Sequence, residues 1–231
     1  MVLYGRNAVH EALRGPRAVA QVWATERAGR EPWLRGGSLR TASADEVERR
    51  CGSPDHQGIC AEVAAYRYAE AAGLLAREDA LIVALDEIQD PQNLGAICRT
   101  AECAGATGVV IPERRSAEVT PAVCKASAGA VEHLAIARVR NLAGFLLDAR
   151  RAGAWSYGAD GDARTGYAQP DYRGKVVLVM GSEGSGLRPR VARSCDELVA
   201  LPLRGRVASL NVSAAAAALL YEITRQRAAS S

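Results

Sequence analysis

Val176-Val-Leu-Val-Met-Gly-Ser-Glu-Gly-Ser-Gly-Leu187 is the stretch whose reading decides the fold. Five apolar residues run straight into three glycines, which are separated by Ser182, Glu183 and Ser185. An unbroken apolar run that stops at a glycine turn is the pattern of a strand buried on both faces, as in a parallel sheet. The glycines mark a turn where backbone passes close to another group, because no Cβ stands in the way. Glu183 is the lone acid of that turn, and a carboxylate there calls for a partner.

The same strand-then-helix rhythm extends outward over residues 80–227. Leu81-Ile-Val-Ala-Leu85, Val109-Val-Ile111, Leu134-Ala-Ile-Ala-Arg-Val139, Trp155-Ser-Tyr157 and Glu197-Leu-Val-Ala-Leu201 read as further strands. Asp90-Pro91 supplies an N-cap and a proline at the first helical position, so a helix is expected from there to about residue 104. Helices are also expected within 117–129, over 142–152 and near 188–193, and an alanine-rich one closes the chain over about 210–227. Alternating βα units with near-continuous apolar strands predict an α/β fold with a parallel sheet covered on both faces.

Residues 1–66 read as a separate small α/β unit. A helix follows Gly5, with Val9, Ala12 and Leu13 on one face, and ends at Gly15-Pro16. A strand over 19–24, a Gly36-Gly37 turn, a polar helix over 41–50 and a closing strand over 58–64 complete it. Ser43 followed by Glu46 suits the start of the polar helix. Residues 67–79 alternate Ala, Glu and Arg without a strong apolar face and read as a linker or linking helix. The expected organisation is therefore 1–66, 67–79 and 80–231.

Composition narrows the function classes. At 48% hydrophobic residues a core can form, but with 5% aromatics it must be built of Ala, Val and Leu. The net charge of +3 permits a nucleic-acid partner without announcing one. Arginines outnumber lysines 27 to 2, which favours bidentate contacts with carboxylate or phosphate. The first 40 residues hold seven Arg against three acids, and Arg27, Arg30, Arg35 and Arg40 with Trp33 suit either RNA contacts or a solvated basic face. The six cysteines form no C-x-x-C pair and no His lies at zinc-ligand spacing, so reduced thiols and no structural metal are expected. Cys98 and Cys103 read as core residues, and His10, His56 and His133 as isolated ones. No apolar run approaches membrane-spanning length, so a soluble cytoplasmic protein is expected.

Three clusters at strand ends could carry chemistry. The first is Asp90-Pro-Gln-Asn93-Leu-Gly95-Ala-Ile-Cys-Arg99. Gly95 and Arg99 share a helical face, and the missing side chain leaves room for a ligand beside the guanidinium. Asn93 sits in the first turn, where free N–H groups point outward. The bland reading is a capped helix with a surface arginine. The second cluster, Gly181–Gly186, is neither G-x-G-x-x-G nor a P-loop, and alone it reads equally well as a tight connection. The third is Leu201-Pro-Leu-Arg-Gly-Arg-Val-Ala-Ser209-Leu-Asn211-Val-Ser213. Ser209 alone would serve as an N-cap; three polar residues at alternate positions exceed what a cap requires.

In this order and spacing the three clusters resemble the three motifs of the SpoU (TrmH-type) 2′-O-ribose RNA methyltransferases, members of the SPOUT class. The resemblance covers nearly the whole chain: 80–227 resembles the catalytic domain. Tyr4-Gly5-Arg6-Asn7-Ala8-Val9-His10-Glu11-Ala12-Leu13 resembles the start of the family's RNA-binding domain. Within the family the chain most resembles the branch that methylates a guanosine of 23S ribosomal RNA, with Lys125-Ala-Ser-Ala-Gly-Ala-Val-Glu132 as further support. Ala208 departs from the pattern, since many relatives carry Ser there. The resemblance implies a trefoil knot, which nothing in the periodicity predicts, and S-adenosylmethionine as methyl donor. Gly181, Leu201, Leu203, Ser209 and Leu210 are the implied cofactor-binding positions. Asn93, Arg99, Glu183, Ser209 and Asn211 are the implied catalytic ones, with Glu183 holding Arg99 in a bidentate pair. A homodimer, an RNA partner rather than DNA, and no membrane association are implied as well.

Arg99 is the family's candidate for activating the ribose 2′-hydroxyl, a group that distinguishes RNA from DNA. Two roles stay open to it. A general base needs a neutral form, which a guanidinium does not supply. As an alternative it grips the adjacent phosphate and stabilises the developing alkoxide, with a phosphate oxygen or water taking the proton. Three other functions compete: a tRNA or resistance-type rRNA methyltransferase, a non-catalytic RNA-binding relative, and a nucleotide enzyme on a doubly wound sheet. The non-catalytic reading expects a damaged motif, and the nucleotide enzyme expects a phosphate loop after the first strand; neither is found.

Overall fold

In the computed structural model, residues 1–34, 39–207 and 209–229 are described. The Gly36-Gly37 turn, Arg35 and Ala208 lie outside them.

The first unit contains β1 (Val2–Tyr4), α1 (Arg6–Arg14), β2 (Val19–Ala24), β3 (Leu39–Thr41), α2 (Ala44–Cys51) and β4 (Ile59–Val63). Its strands form a sheet in the order β1-β4-β2-β3, with β2 and β3 parallel and the other pairs antiparallel. Ser43 caps α2 by accepting from the Glu46 N–H. On α1, Ala8, Val9 and Ala12 are buried, while Leu13 lies at the surface. The stretch expected to link the units contains a short helix, α3 (Ala71–Leu75), that buries Leu74 and Leu75. Ala69 bridges to Ala137, and the Tyr68 hydroxyl accepts from the Val119 N–H, so this segment is packed rather than loose.

The remainder alternates strand and helix except where β8, β9 and β10 follow one another directly: β5 (Leu81–Leu85), α4 (Pro91–Cys103), β6 (Gly108–Pro112), α5 (Pro121–Ala126), β7 (Ala135–Val139), α6 (Leu142–Arg151), β8 (Trp155–Ala159), β9 (Thr165–Gly166), β10 (Val176–Met180), α7 (Pro189–Ala192), β11 (Glu197–Ala200) and α8 (Val212–Ala228). The strands pair in parallel in the order β7-β6-β5-β10-β8-β11-β9. Alternate side chains of each strand feed opposite faces. Leu81, Val83 and Leu85 with Val176, Leu178 and Met180 pack under α4, α5 and α8. Ile82, Ala84, Val177 and Val179 pack under α3, α6 and α7.

The two units share one core, because Leu3, Val9 and Ala12 belong to the same apolar cluster as α4 and α5. Arg17 and Glu132 form an ion pair across the seam, with side chains 7% and 1% exposed. Gly129, at φ +88°, lies so close to α1 that a Cβ would sit 2.6 Å from the Glu11 Cβ.

Candidate active site

Met180 ends β10, the central strand of the seven-stranded sheet, and the glycine stretch turns back at once. Ser182 and Gly186 exchange N–H···O bonds of 3.0 and 2.9 Å, closing a small ring with Gly184 and Gly186 in left-handed conformations. Gly181 is obligatory: a Cβ there would lie 2.2 Å from the Gly186 carbonyl carbon and 2.4 Å from the Leu187 nitrogen. The ring forms one wall of a cavity of about 560 Å³. The loop after β11 and the start of α8 form the facing wall. All five sequence-predicted cofactor positions, Gly181, Leu201, Leu203, Ser209 and Leu210, line this cavity, and Glu183 lines it too. The volume lies in the roughly 300–1,000 Å³ range of small-molecule sites. Its lining combines apolar side chains such as Met180, Leu201 and Leu210 with exposed glycine backbone, which fits a flat heterocycle held by main-chain groups. The residues present therefore fit S-adenosylmethionine. Asp160, Gly161 and Asp162 also line the cavity, and the sequence reading missed them. A Gly between two acids after a strand was the available signal. A larger groove of about 780 Å³ between α3 and α6 contains none of the motif residues.

Three distant segments meet beside this cavity through a chain of hydrogen bonds. The Asn211 Oδ1 accepts from the Ser213 N–H at 2.9 Å and so caps α8. Its amide nitrogen is left to donate, and it does so to Asn93 Oδ1 at 2.9 Å. The Asn93 Nδ2 in turn donates to Glu183 Oε2 at 3.2 Å. The orientation of both amides thus follows from one backbone N–H at the start of α8. Asn93 itself is buried in the first turn of α4, where Asp90 accepts from the Gln92 and Asn93 N–H groups. Asn211, not Ser209, is the N-cap; Ser209 faces the cavity instead.

Arg99 does not join this chain. The expected bidentate Glu183–Arg99 pair is not formed: the Glu183 carboxylate accepts from Asn93, and Arg99 has no ion pair or hydrogen bond among the described residues. Asn93 and Arg99 stand six positions apart on the helix, about 9 Å of rise and a turn to another side. The guanidinium is exposed to solvent. Nor does Gly95 leave a gap for a ligand. A Cβ there would meet the Ala126 Cβ at 2.4 Å and the Ser127 nitrogen at 2.9 Å, so the glycine admits α5.

The remaining candidates divide as follows. Burial pushes the Cys98 thiol up to about 12, which makes it a core residue and no nucleophile. Cys103 is exposed, contrary to its core reading. His10 stacks on Trp33 with ring centres 4.6 Å apart, His56 Nδ1 accepts from the Gly58 N–H, and His133 contacts Glu11 at 2.8 Å. Trp33 also donates to Glu31, so its ring is already engaged within its own unit. Among the described residues no group of three or more His, Cys, Asp or Glu side chains is arranged to hold a metal, and no helix is long and apolar enough to cross a membrane.

A glycine-walled cavity bordered by three converging polar segments on a parallel sheet defines a class, and sequence comparison agrees: the chain belongs to the SpoU rRNA Methylase family, matched over residues 80–221. Residues 2–69 match the RNA 2′-O ribose methyltransferase substrate-binding family. The chain is 42% identical to an uncharacterized tRNA/rRNA methyltransferase of Synechocystis, over 98% of this chain and 62% of that protein. It is 40% identical to the 23S rRNA (guanosine-2′-O-)-methyltransferase RlmB of Pseudomonas putida, over 97% of this chain and 96% of the relative. The crystal structure of the SpoU methyltransferase AviRb from Streptomyces viridochromogenes with AdoMet superposes with a TM-score of 0.84 at 25% identity, covering 99% and 91% of the two chains.

Proposed function

We propose that this chain transfers the methyl group of S-adenosylmethionine to a ribose 2′-hydroxyl of ribosomal RNA, with a guanosine of 23S rRNA as the target. The observation that carries the reading is the hydrogen-bonded chain Glu183–Asn93–Asn211, which draws three motif segments together beside a cavity fit for the donor. S-adenosylmethionine supplies an electrophilic methyl group when bound, so the protein's task is to orient and activate the oxygen that attacks it. Gly181, Leu201, Leu203, Ser209 and Leu210 would hold the donor. Glu183, Asn93 and Asn211 form a pre-aligned polar edge, whose geometry is set before substrate arrives. Arg99, unengaged and exposed, offers its fork to the RNA phosphate next to the target ribose and stabilises the charge that develops on the 2′-oxygen. A phosphate oxygen or water takes the proton, since the guanidinium stays charged.

The unit spanning 1–66 would present the RNA, with Arg27, Arg30 and Arg40 as phosphate contacts, and 80–231 would carry the transfer. The trefoil knot is part of the reading; the strand order β5-β10-β8-β11, in which later strands insert between earlier ones, supports it. A homodimer is also part of it. Val207, Leu210 and Tyr221 are 75%, 48% and 54% exposed on α8 and the segment before it, and a partner copy would cover them. Sedimentation at working concentration tests the dimer, and the mass of a single chain would remove it. The test of function is methyl transfer from labelled S-adenosylmethionine to unmodified rRNA by the full chain and by Arg99→Lys. The substitution should cost transfer about 100-fold or more with donor binding unchanged, because lysine lacks the fork. Near-normal transfer by Arg99→Lys would remove Arg99 from the mechanism.

A further inference from the structure

Asp86 follows β5 directly and is fully buried, yet it plays no part in the chain of motif residues. Its own N–H donates to the Met180 carbonyl at 2.7 Å. Its carboxylate accepts from the Arg188 backbone N–H at 2.8 Å through Oδ2, and from Arg188 Nε at 2.8 Å and Nη2 at 2.6 Å through Oδ1. Met180 is the residue at which the chain enters the glycine ring, and Arg188 is the one at which it leaves. A single residue therefore holds both feet of the segment 181–187. Every residue of that segment lines the donor cavity.

The segment is closed on itself. Besides the Ser182–Gly186 bonds, the Ser182 and Ser185 hydroxyls lie 2.7 Å apart, so the ring moves as one piece if its feet move. Leu187 plugs into the core below, and Arg188 extends its outer Nη1 to Glu87 Oε1 at 3.2 Å. A buried carboxylate is a costly way to stabilise a core, and a well-packed apolar residue at that place would serve folding as well or better. What an apolar residue would not do is fix the exit of a glycine-rich turn that has few contacts to hold its conformation.

We propose that Asp86 is a positioning residue for the methyl donor: it acts through Arg188 to hold the 181–187 ring at the height the cavity requires. The inference rests on reading that cavity as the donor site. Asp86 touches neither donor nor RNA, so its effect falls on donor affinity and leaves RNA affinity alone. Because the two partners act as one unit, their substitutions are non-additive.

The test uses the full chain and measures S-adenosylmethionine binding by calorimetry for the unsubstituted chain, Asp86→Asn, Arg188→Gln and the double variant, with hydrogen exchange at 181–187 recorded alongside. Each single substitution should weaken donor binding about tenfold, and the double should be no weaker than the worse single. Exchange in the ring should rise, and RNA retention should be unchanged. Arg188 is half exposed, so Arg188→Gln gives a folded variant even if Asp86→Asn unfolds the chain, and Arg188→Lys should restore binding in part. Wild-type donor affinity in folded Arg188→Gln, or losses that simply add, would overturn the inference. If the unsubstituted chain binds no donor, the cavity reading fails instead, and ring exchange that does not differ between the chain and Arg188→Gln would then overturn the clamp on its own.

Discussion

Gly95→Ala sets two effects of opposite sign against each other. Alanine in place of glycine inside a helix ordinarily gains about 1 kcal/mol through helix propensity. In α4 the added Cβ would lie 2.4 Å from the Ala126 Cβ, 2.9 Å from the Ser127 nitrogen and 3.0 Å from the Ala126 carbonyl carbon. Carbon atoms in favourable contact stand about 3.5–4.0 Å apart, so α4 and α5 must separate by roughly 1 Å. The obstacles are backbone and a methyl group, and neither can rotate away. Overpacking of this kind costs about 1–3 kcal/mol, and the rigid neighbours place it at the upper end. The net expectation is a loss of about 1–2 kcal/mol. Urea denaturation should show a lower midpoint at unchanged slope. A Gly95→Ala chain as stable as the parent, or more stable, would refute the packing account and restore Gly95 as open space beside Arg99.

Three further outcomes follow from the same contacts. Asn93→Leu removes the centre of the polar chain and leaves the Asn211 amide and the Glu183 carboxylate without their partners; steady-state kinetics should show methyl transfer reduced at least tenfold, with about 1–3 kcal/mol of stability lost, and retained activity would sink the proposed polar edge. Glu132→Gln leaves Arg17 buried without its counter-charge, which should cost about 3 kcal/mol by denaturation; a loss under about 0.5 kcal/mol would mean the seam does not depend on the pair. At Asp196, burial works to raise the carboxyl, but hydrogen bonds from the Ser156 hydroxyl and N–H and from Arg150 outweigh it and hold the group below its ordinary 3.8. That stabilisation is complete above the unfolded value and is lost as pH falls through the lower folded one. The gap in thermal midpoint between the parent and Asp196→Asn should therefore be wide at neutral pH and close in acid, and a gap that ignores pH would contradict it.

Much of the fold was legible because its strands are buried on both faces. Val176–Met180 and Leu81–Leu85 carry uninterrupted apolar runs, and their bounds in the structure match the runs in the sequence. The strands β1, β3 and β9, of three, three and two residues, are too short to carry a period and went unread. The stretch before β5 was legible only as a linker or linking helix, because its polar composition hides the two leucines of α3 that face the sheet.

The sequence names residues that the structure brings to one cavity and its edge, but it does not carry the hydrogen bonds among them. The resemblance pairs Glu183 with Arg99, 84 positions away in the sequence, and nothing in one dimension checks that pairing. The helix decides otherwise, since it turns Asn93 toward the glycine ring and Arg99 toward solvent. Gly95 shows the same limit: a sequence records the absence of a side chain and cannot say whether a ligand or a neighbouring helix fills the place. Asp86 was passed over because its partner lies 102 residues away, beyond any local spacing rule.

The most direct test of the central claim is to incubate the purified chain with isotopically labelled S-adenosylmethionine and unmodified 23S rRNA, digest the RNA to nucleosides and locate the label by mass spectrometry. The account predicts label on the ribose 2′-oxygen of a single guanosine, at close to one methyl per RNA. Label on a base, or no transfer by a chain that binds the donor, would contradict it.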